Sequence, residues 1–375
     1  MNKKLKLVCS SIVASMLVFT NFATLTAKAS VKDDNIKVKS VIEQYFTNEL
    51  KTMSTHKPVD SGAIISNESL KQYNVVKTDL VASWYKEIDE TLKDYELYLD
   101  YNSIDFNDTS CEVNLIKGTD LIFEKSSQIT QQSRGEEHTL VLKKLNNKWT
   151  ISQDMYLEEG ESDSSSNLLL KKEKYNLLNE EEYNRNLAEE VKELKHKKDN
   201  VKTEAEKLKN EKQKYISQRP SASILSYSGY NGNAARDYAY TYYKNYNPSY
   251  TDYSKQGGDC TNFVSQCLKA GGLPTDGTWF KDSNAWIRVI ELRNWLVNKG
   301  YATEYSWQSN CKVGDVVQLQ NSSKGIYTHS LLISYIDGYG QVYLAAHTNE
   351  AWNKAVYNYY PSSSWSAIRY LKITT

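Results

Sequence analysis

The chain has 375 residues, with 46 Lys plus Arg balanced by 46 Asp plus Glu. That balance excludes the strongly basic surface that nucleic acid or an anionic membrane calls for. With 40% apolar residues the chain can bury packed cores, and its length suits two or three domains. Tyrosine is abundant at 29 residues and crowds toward the C-terminal half. Buried rings with bonded hydroxyls are its ordinary use, although Tyr-rich surfaces also suit sugars and peptides.

Residues 1–29 read as a signal peptide. MNKKLK is a basic start, LVCSSIVASMLVFT is a short apolar run, and Ala27-Lys28-Ala29 fits a small-x-small cleavage site. The mature chain then begins near Ser30, secreted and extracellular or cell-wall associated, with no membrane partner after cleavage. Four cysteines remain, Cys111, Cys260, Cys267 and Cys311. An even number in an exported chain permits disulfides, and no C-x-x-C spacing suggests a zinc ribbon.

Residues 30–160 read as a small α+β domain. Val38, Val41, Ile42, Tyr45 and Phe46 recur at helical spacing, and a second helix is expected over Glu68 to Tyr85. Strands follow at Tyr95–Tyr101, Cys111–Ile116, Glu137–Leu142 and Lys148–Ser152, the last two joined by a turn at Asn146-Asn147. Helices followed by an antiparallel sheet resemble NTF2-like or cystatin-like units. His138 falls in a strand and reads as a surface residue.

Residues 161–220 read as a charged helical spacer. Ser162 opens a linker, and a Lys/Glu-rich run then carries a thin stripe of Leu177, Leu187, Val191, Leu194, Val201 and Leu208. A solvated helix or helical hairpin is expected, closed by Arg219-Pro220. Its stripe lacks sustained heptads, so no oligomeric state follows from it.

Residues 221–375 read as a compact α+β domain, helices first and antiparallel strands after. Asn233 is expected to cap a helix over Ala234 to Tyr246, and Asp259 one over 260–270 that Gly271-Gly272 ends. A third helix is expected over Trp286 to Lys299. Strands are expected at Gly314–Leu319, Thr328–Ile336, Gln341–His347 and Ala367–Ile373.

The chemistry gathers in GGDCTNFVSQ. Cys260 stands at the first helical position, where free amides and the positive helix end favour a thiolate. As cap, Asp259 is expected to turn its carboxylate to the amides of Thr261 or Asn262. Phe263, Val264, Cys267 and Leu268 form the packing face. The domain holds two histidines, His329 and His347. If Ile336 pairs with Gly340 across the Asp337-Gly-Tyr-Gly turn, His329 faces His347 across one ladder. The constellation reads as a Cys260 nucleophile, a His329 base and a His347 orienter, with Asn349 as the other candidate orienter. The Cys260 N–H would form half of an oxyanion hole.

Asn233-Ala-Ala-Arg-Asp-Tyr-Ala, Gly258-Asp-Cys-Thr-Asn-Phe-Val-Ser-Gln, Lys312-Val-Gly-Asp-Val-Val, His329-Ser-Leu-Leu-Ile and Ala346-His-Thr-Asn resemble the amidase domain family of exported bacterial proteins. That family is related to the papain-like CHAP and NlpC-type cell-wall hydrolases. The resemblance implies a papain-like fold for the last domain, with Cys260 as nucleophile, His329 as base and His347 as polar third residue. It implies an amide bond as target, in peptidoglycan or a peptide amide; no cofactor is expected. Other chemistries use overlapping groups. Asp259, Cys260, His329 and His347 could hold zinc in a zinc-dependent amidase if they converge. Acyl transfer to an amine would need the same groups. A catalytically silent wall-binding or adhesive module would use Trp279, Trp286, Trp307 and Trp352 as sugar platforms, against core packing as their ordinary role.

Overall fold

The first helix, α1 (Phe22–Thr55), turns Val38, Ile42, Phe46 and Leu50 inward at four-residue spacing. The structure, a computed structural model, describes residues 22–156, 179–217, 229–254, 256–308 and 311–374, with side chains from residue 32. Most of the expected signal peptide, the Ser162 linker, Leu177 and Arg219-Pro220 lie outside the described residues. The second helix, α2 (Glu68–Glu87), opens on Asn67, whose side chain accepts from the Leu70 amide at 2.9 Å. Four long strands follow: β1 (Leu92–Phe106), β2 (Ser110–Phe123), β3 (Gln131–Leu145) and β4 (Lys148–Tyr156). Asn146 and Asn147 both take positive φ, 47° and 65°, as a two-residue hairpin with type I′ geometry requires.

A long helix, α3 (Glu180–Ser217), comes next. It does not stand in solvent. Leu187, Val191, Leu194 and Val201 are buried with the α1–α2 layer in the first core. Lys197 is buried too, and its ammonium donates to the carbonyls of Tyr360, Ser362 and Trp365.

The C-terminal part contains α4 (Gly232–Tyr242), α5 (Cys260–Ala270), α6 (Asn284–Ile287) and α7 (Val289–Asn298). The cap of α4 is Asn231, not Asn233: its side chain accepts from the Ala234 amide at 3.1 Å. Extended backbone at Arg288 divides the expected third helix in two. The strands are β5 (Ala302–Tyr305), β6 (Val316–Asn321), β7 (Tyr327–Ile336), β8 (Val342–Ala346), β9 (Ala351–Ala355) and β10 (Trp365–Ile373).

All ten strands belong to one antiparallel α+β sheet, ordered β1-β2-β3-β9-β8-β7-β6-β10-β5, with β4 on β3. The short strand β9 makes the join. It pairs Ala351 and Trp352 with Ser133 and Gln132 of β3 on one side, and Ala351 with Ala346 of β8 on the other. The regions expected at 30–160 and 221–375 therefore share a ladder. They also share a core, since Tyr343, Ala355 and Tyr357 pack with the α1–α3 layer. On one face of the C-terminal sheet, α4, α5 and α7 cover Val316, Leu332, Ala345 and Leu371. The other face carries Val317, Leu319, Leu331, Ile333 and Trp365. Among the described residues no helix is long and apolar enough to cross a membrane.

Candidate active site

The approach to Cys260 is set by two glycines. Gly257 and Gly258 take φ of 109° and 110°, backbone that side-chain-bearing residues rarely adopt. They deliver Asp259 and Cys260 to the start of α5, where Cys260 is buried with 7% exposure. Asp259 is completely buried. It holds the N-cap position, but its carboxylate does not bond the first-turn amides as expected. One oxygen accepts from the Tyr253 amide at 3.0 Å and from the Asn262 side chain at 2.8 Å. The other meets His347 Nδ1 at 2.7 Å.

His347 is buried just past the end of β8. Its ring lies between Phe263, nearly parallel at 4.0 Å, and Tyr246 at 4.4 Å. Its Nε2 lies 2.6 Å from the Tyr242 carbonyl at the end of α4. Both partners of the ring are acceptors, so the arrangement is satisfied when both ring nitrogens carry a proton. The following residue closes the loop: Thr348 Oγ1 accepts from the Asp259 amide at 2.7 Å. Thr348 and Asn349 both take positive φ, 60° and 65°, a tight turn into β9. For a β-branched residue that backbone is strained, and the bond to Asp259 helps hold it.

The motif following Cys260 is a set of tethers. Thr261 donates to Ser330 Oγ of β7 at 3.1 Å. Asn262 accepts from Trp286 Nε1 at 2.8 Å and donates to the Thr251 carbonyl at 2.8 Å. Ser265 donates to the Trp286 carbonyl, and Gln266 accepts from the Tyr238 hydroxyl. Successive helical residues are about 100° apart. Cys260 therefore projects between Phe263, which stacks on His347, and Thr261, which bonds Ser330.

The expected hairpin register is corrected by two residues. Ile336 pairs with Val342, not Gly340, and beyond an irregularity near Ser334 the ladder runs Ile333–Leu344 and Leu332–Ala345. Continued, that ladder sets Ser330, not His329, beside His347. His329 faces the opposite way. It pairs with Leu319 across β6–β7, is fully buried, and its ring lies 6.0 Å from that of Trp365 on the sheet face away from α5. The two-residue shift at the turn keeps parity, but the irregularity near Ser334 leaves a net shift of one beyond it, which exchanges the β7 side chains that share a face with His347. Asn349 is carried off by the positive-φ turn and lines a cavity of about 160 Å³ between the two sheet regions, with Glu49, Lys117, Lys354 and Trp365. The structure thus brings His347, but neither His329 nor Asn349, to the Cys260 end of α5.

Because His329 and His347 lie on opposite faces, the four-residue zinc set does not converge; no cluster of three metal-binding side chains occurs among the described residues. All four described cysteines are free thiols. Burial pushes Cys111 up to about 12, and Cys267 and Cys311 well above the usual thiol value. Trp279 and Trp286 are fully buried core residues, whereas Trp307 is exposed. Sequence reasoning missed Asp259 as the partner of His347. The available signal was its place immediately before the cysteine.

Two relatives from Bacillus subtilis (strain 168) are similar to part of the chain. Uncharacterized protein YjcM is 33% identical over 120 residues, covering 31% of this chain and 27% of its own. Uncharacterized protein YhbB is 29% identical over 112 residues, covering 26% of this chain and 35% of its own. The chain thus spans about a third or less of the length of these curated relatives. No solved structure matches. Residues 229–371, which contain the Asp259–Cys260–His347 constellation, match the family model described as "Putative amidase domain", in support of a hydrolase of amide bonds.

Proposed function

We propose that this chain is a cysteine-dependent amide hydrolase, with Cys260 as nucleophile, His347 as proton carrier and Asp259 as its orienter. The observation that carries this reading is the buried 2.7 Å contact from His347 to the residue preceding a helix-start cysteine. A thiol at that position meets the positive end of α5, and His347 is tied to the residue beside it. A cysteine-bearing helix packed on an antiparallel sheet also supports a papain-like relationship for residues 221–375. His329, expected as the base, is replaced by His347 in this proposal because its side chain belongs to the other face.

In the proposed cycle neutral His347, held on Asp259 through Nδ1–H, turns its bare Nε2 from the Tyr242 carbonyl to Cys260 and takes the thiol proton, leaving a thiolate and an imidazolium. The thiolate attacks the amide carbon, and the Cys260 N–H, unpaired within the helix at its first turn, is offered to the developing oxyanion. The Nε2 proton passes to the departing amine, and a thioester remains. Water adds to the thioester, giving its proton to His347, and the acid departs as Cys260 is restored.

The basic and apolar N-terminal run supports export, and export places peptidoglycan or extracellular peptide amides within reach. The test is digestion of purified peptidoglycan and peptide amides by the full mature chain, with products identified by mass spectrometry. Cys260→Ala is expected to lose at least about a thousandfold in kcat. Wild-type turnover retained in that variant overturns the cysteine mechanism. New amines without peptidoglycan fragments would place the substrate among peptides instead.

A further inference from the structure

Beneath the start of α5 the buried sheet face is not apolar. Arg369 of β10 is paired in register with Gln318 of β6, and Gln318 with Ser330 of β7. Continued across β8, the same row reaches His347. All three side chains are buried, as is Thr261 above them. Their neighbours on this face, Val316, Leu332, Ala345 and Leu371, are aliphatic. A polar row in such a place is costly unless every group is paired.

The pairing has a direction. Arg369 donates from Nε and Nη2 to Gln318 Oε1, at 2.8 and 2.6 Å. That fixes the amide, so its NH2 faces the Val289 carbonyl at 2.9 Å and Ser330 Oγ at 3.1 Å. Ser330 must accept there, which leaves its own proton free to turn toward Thr261. Thr261 Oγ1 lies 3.1 Å from Ser330 Oγ and 3.7 Å from Cys260 Sγ. In the geometry observed, Thr261 donates to Ser330. Rotation of two hydroxyl protons reverses the last two bonds, and every donor in the row then ends on sulfur.

We propose that Arg369, Gln318, Ser330 and Thr261 are positioning residues that deliver a hydrogen bond to the Cys260 thiolate. When the thiol proton leaves for His347, Ser330 donates to Thr261 and Thr261 donates to Sγ. No proton crosses the row; hydroxyls only turn. The buried guanidinium strengthens the amide donor at the far end, and a bond to an ionised acceptor is roughly twice as strong as a neutral one. Other charged or titratable groups along the row include Asp259 at the cap of α5, His347 past β8, Tyr246 after α4, and Tyr327 and Glu304 at Arg369, with Arg293 on Glu304.

This inference rests on Cys260 as nucleophile, and its test separates the two. The rate of alkylation of Cys260 by iodoacetamide is followed against pH in the full chain by mass spectrometry of its peptide. Thr261→Val keeps the shape and removes the donor. It is expected to lower the rate on the acid limb by about tenfold with the alkaline plateau unchanged, and Thr261→Ser to restore it. Should Thr261→Val fail to fold, Ser330→Ala carries the same expectation. A folded Thr261→Val or Ser330→Ala protein with the wild-type pH profile overturns the row while leaving the nucleophile in place. A wild-type Cys260 that resists alkylation up to pH 9 overturns both.

Discussion

A carboxylate at a helix cap ordinarily bonds the first-turn amides; Asp259 turns instead to Tyr253, Asn262 and His347. Asp259→Asn keeps the shape but removes the charge facing His347. We expect kcat to fall by about a hundredfold or more while KM stays within a few-fold, as steady-state kinetics would show. Asn349→Ala, at the cavity rather than the thiol, is expected to stay within a few-fold of wild type in the same assay. At this scale a cysteine after Gly-Gly-Asp and a histidine at a strand end mark Cys260 and His347 as candidates, and the structure sets both beside Asp259. The expected facing of His329 and His347 was not legible, because it depends on a register that residues 337–341 alone do not fix. Moving the paired residue from Gly340 to Val342, with an irregularity near Ser334, exchanges which neighbour faces α5.

Among the elements, α3 departs most from expectation. Its leucine spacing was readable as a helix, but Lys197 was indistinguishable from the solvated lysines around it. Its burial depends on carbonyls more than 160 residues away. Lys197→Met is expected to leave those carbonyls without their donor and to lower unfolding stability by on the order of 2–3 kcal/mol, measured by urea denaturation. The strand β9 was invisible for a different reason. Ala-Trp-Asn-Lys-Ala is too short and mixed to show alternation, and its role comes from its neighbours on both sides.

For the whole molecule, buried ionisable groups set the pH range. His138, read from the sequence as a surface residue, is buried between Asp154 and Glu136, each 2.8 Å away. Burial opposes its charge, but the two carboxylates prevail and raise its pKa. The stability this gives is present below about 6.5 and is lost as pH rises through the folded value. Glu136 is opposed by burial yet held well below the usual carboxylate range by Lys117 and His138. Its contribution is present above about 4.3 and is lost on acidification. Burial pushes Asp315 up to about 7. The folded state then keeps a proton that the unfolded chain releases near 4, so stability falls as pH rises between about 4 and 7. Together these groups predict a maximum Tm at mildly acidic pH, about 5–6, measured by thermal denaturation from pH 3 to 9. A maximum above pH 8 would contradict the assignment.

The join at β9 bears on how such a protein can be divided. The family match begins at residue 229, yet the hydrogen-bonded ladder and the shared core run across that point. The span that matches the family model and the span that shares one ladder and core are different lengths of chain. Every proposed catalytic group lies after residue 229, but a fragment of residues 221–375 would expose the β9 edge that β3 now covers, together with Tyr343 and Tyr357. Transplanting the C-terminal segment onto another protein would therefore carry the chemistry without its foundation, unless the recipient supplied a strand for β9 and an apolar roof for those two tyrosines.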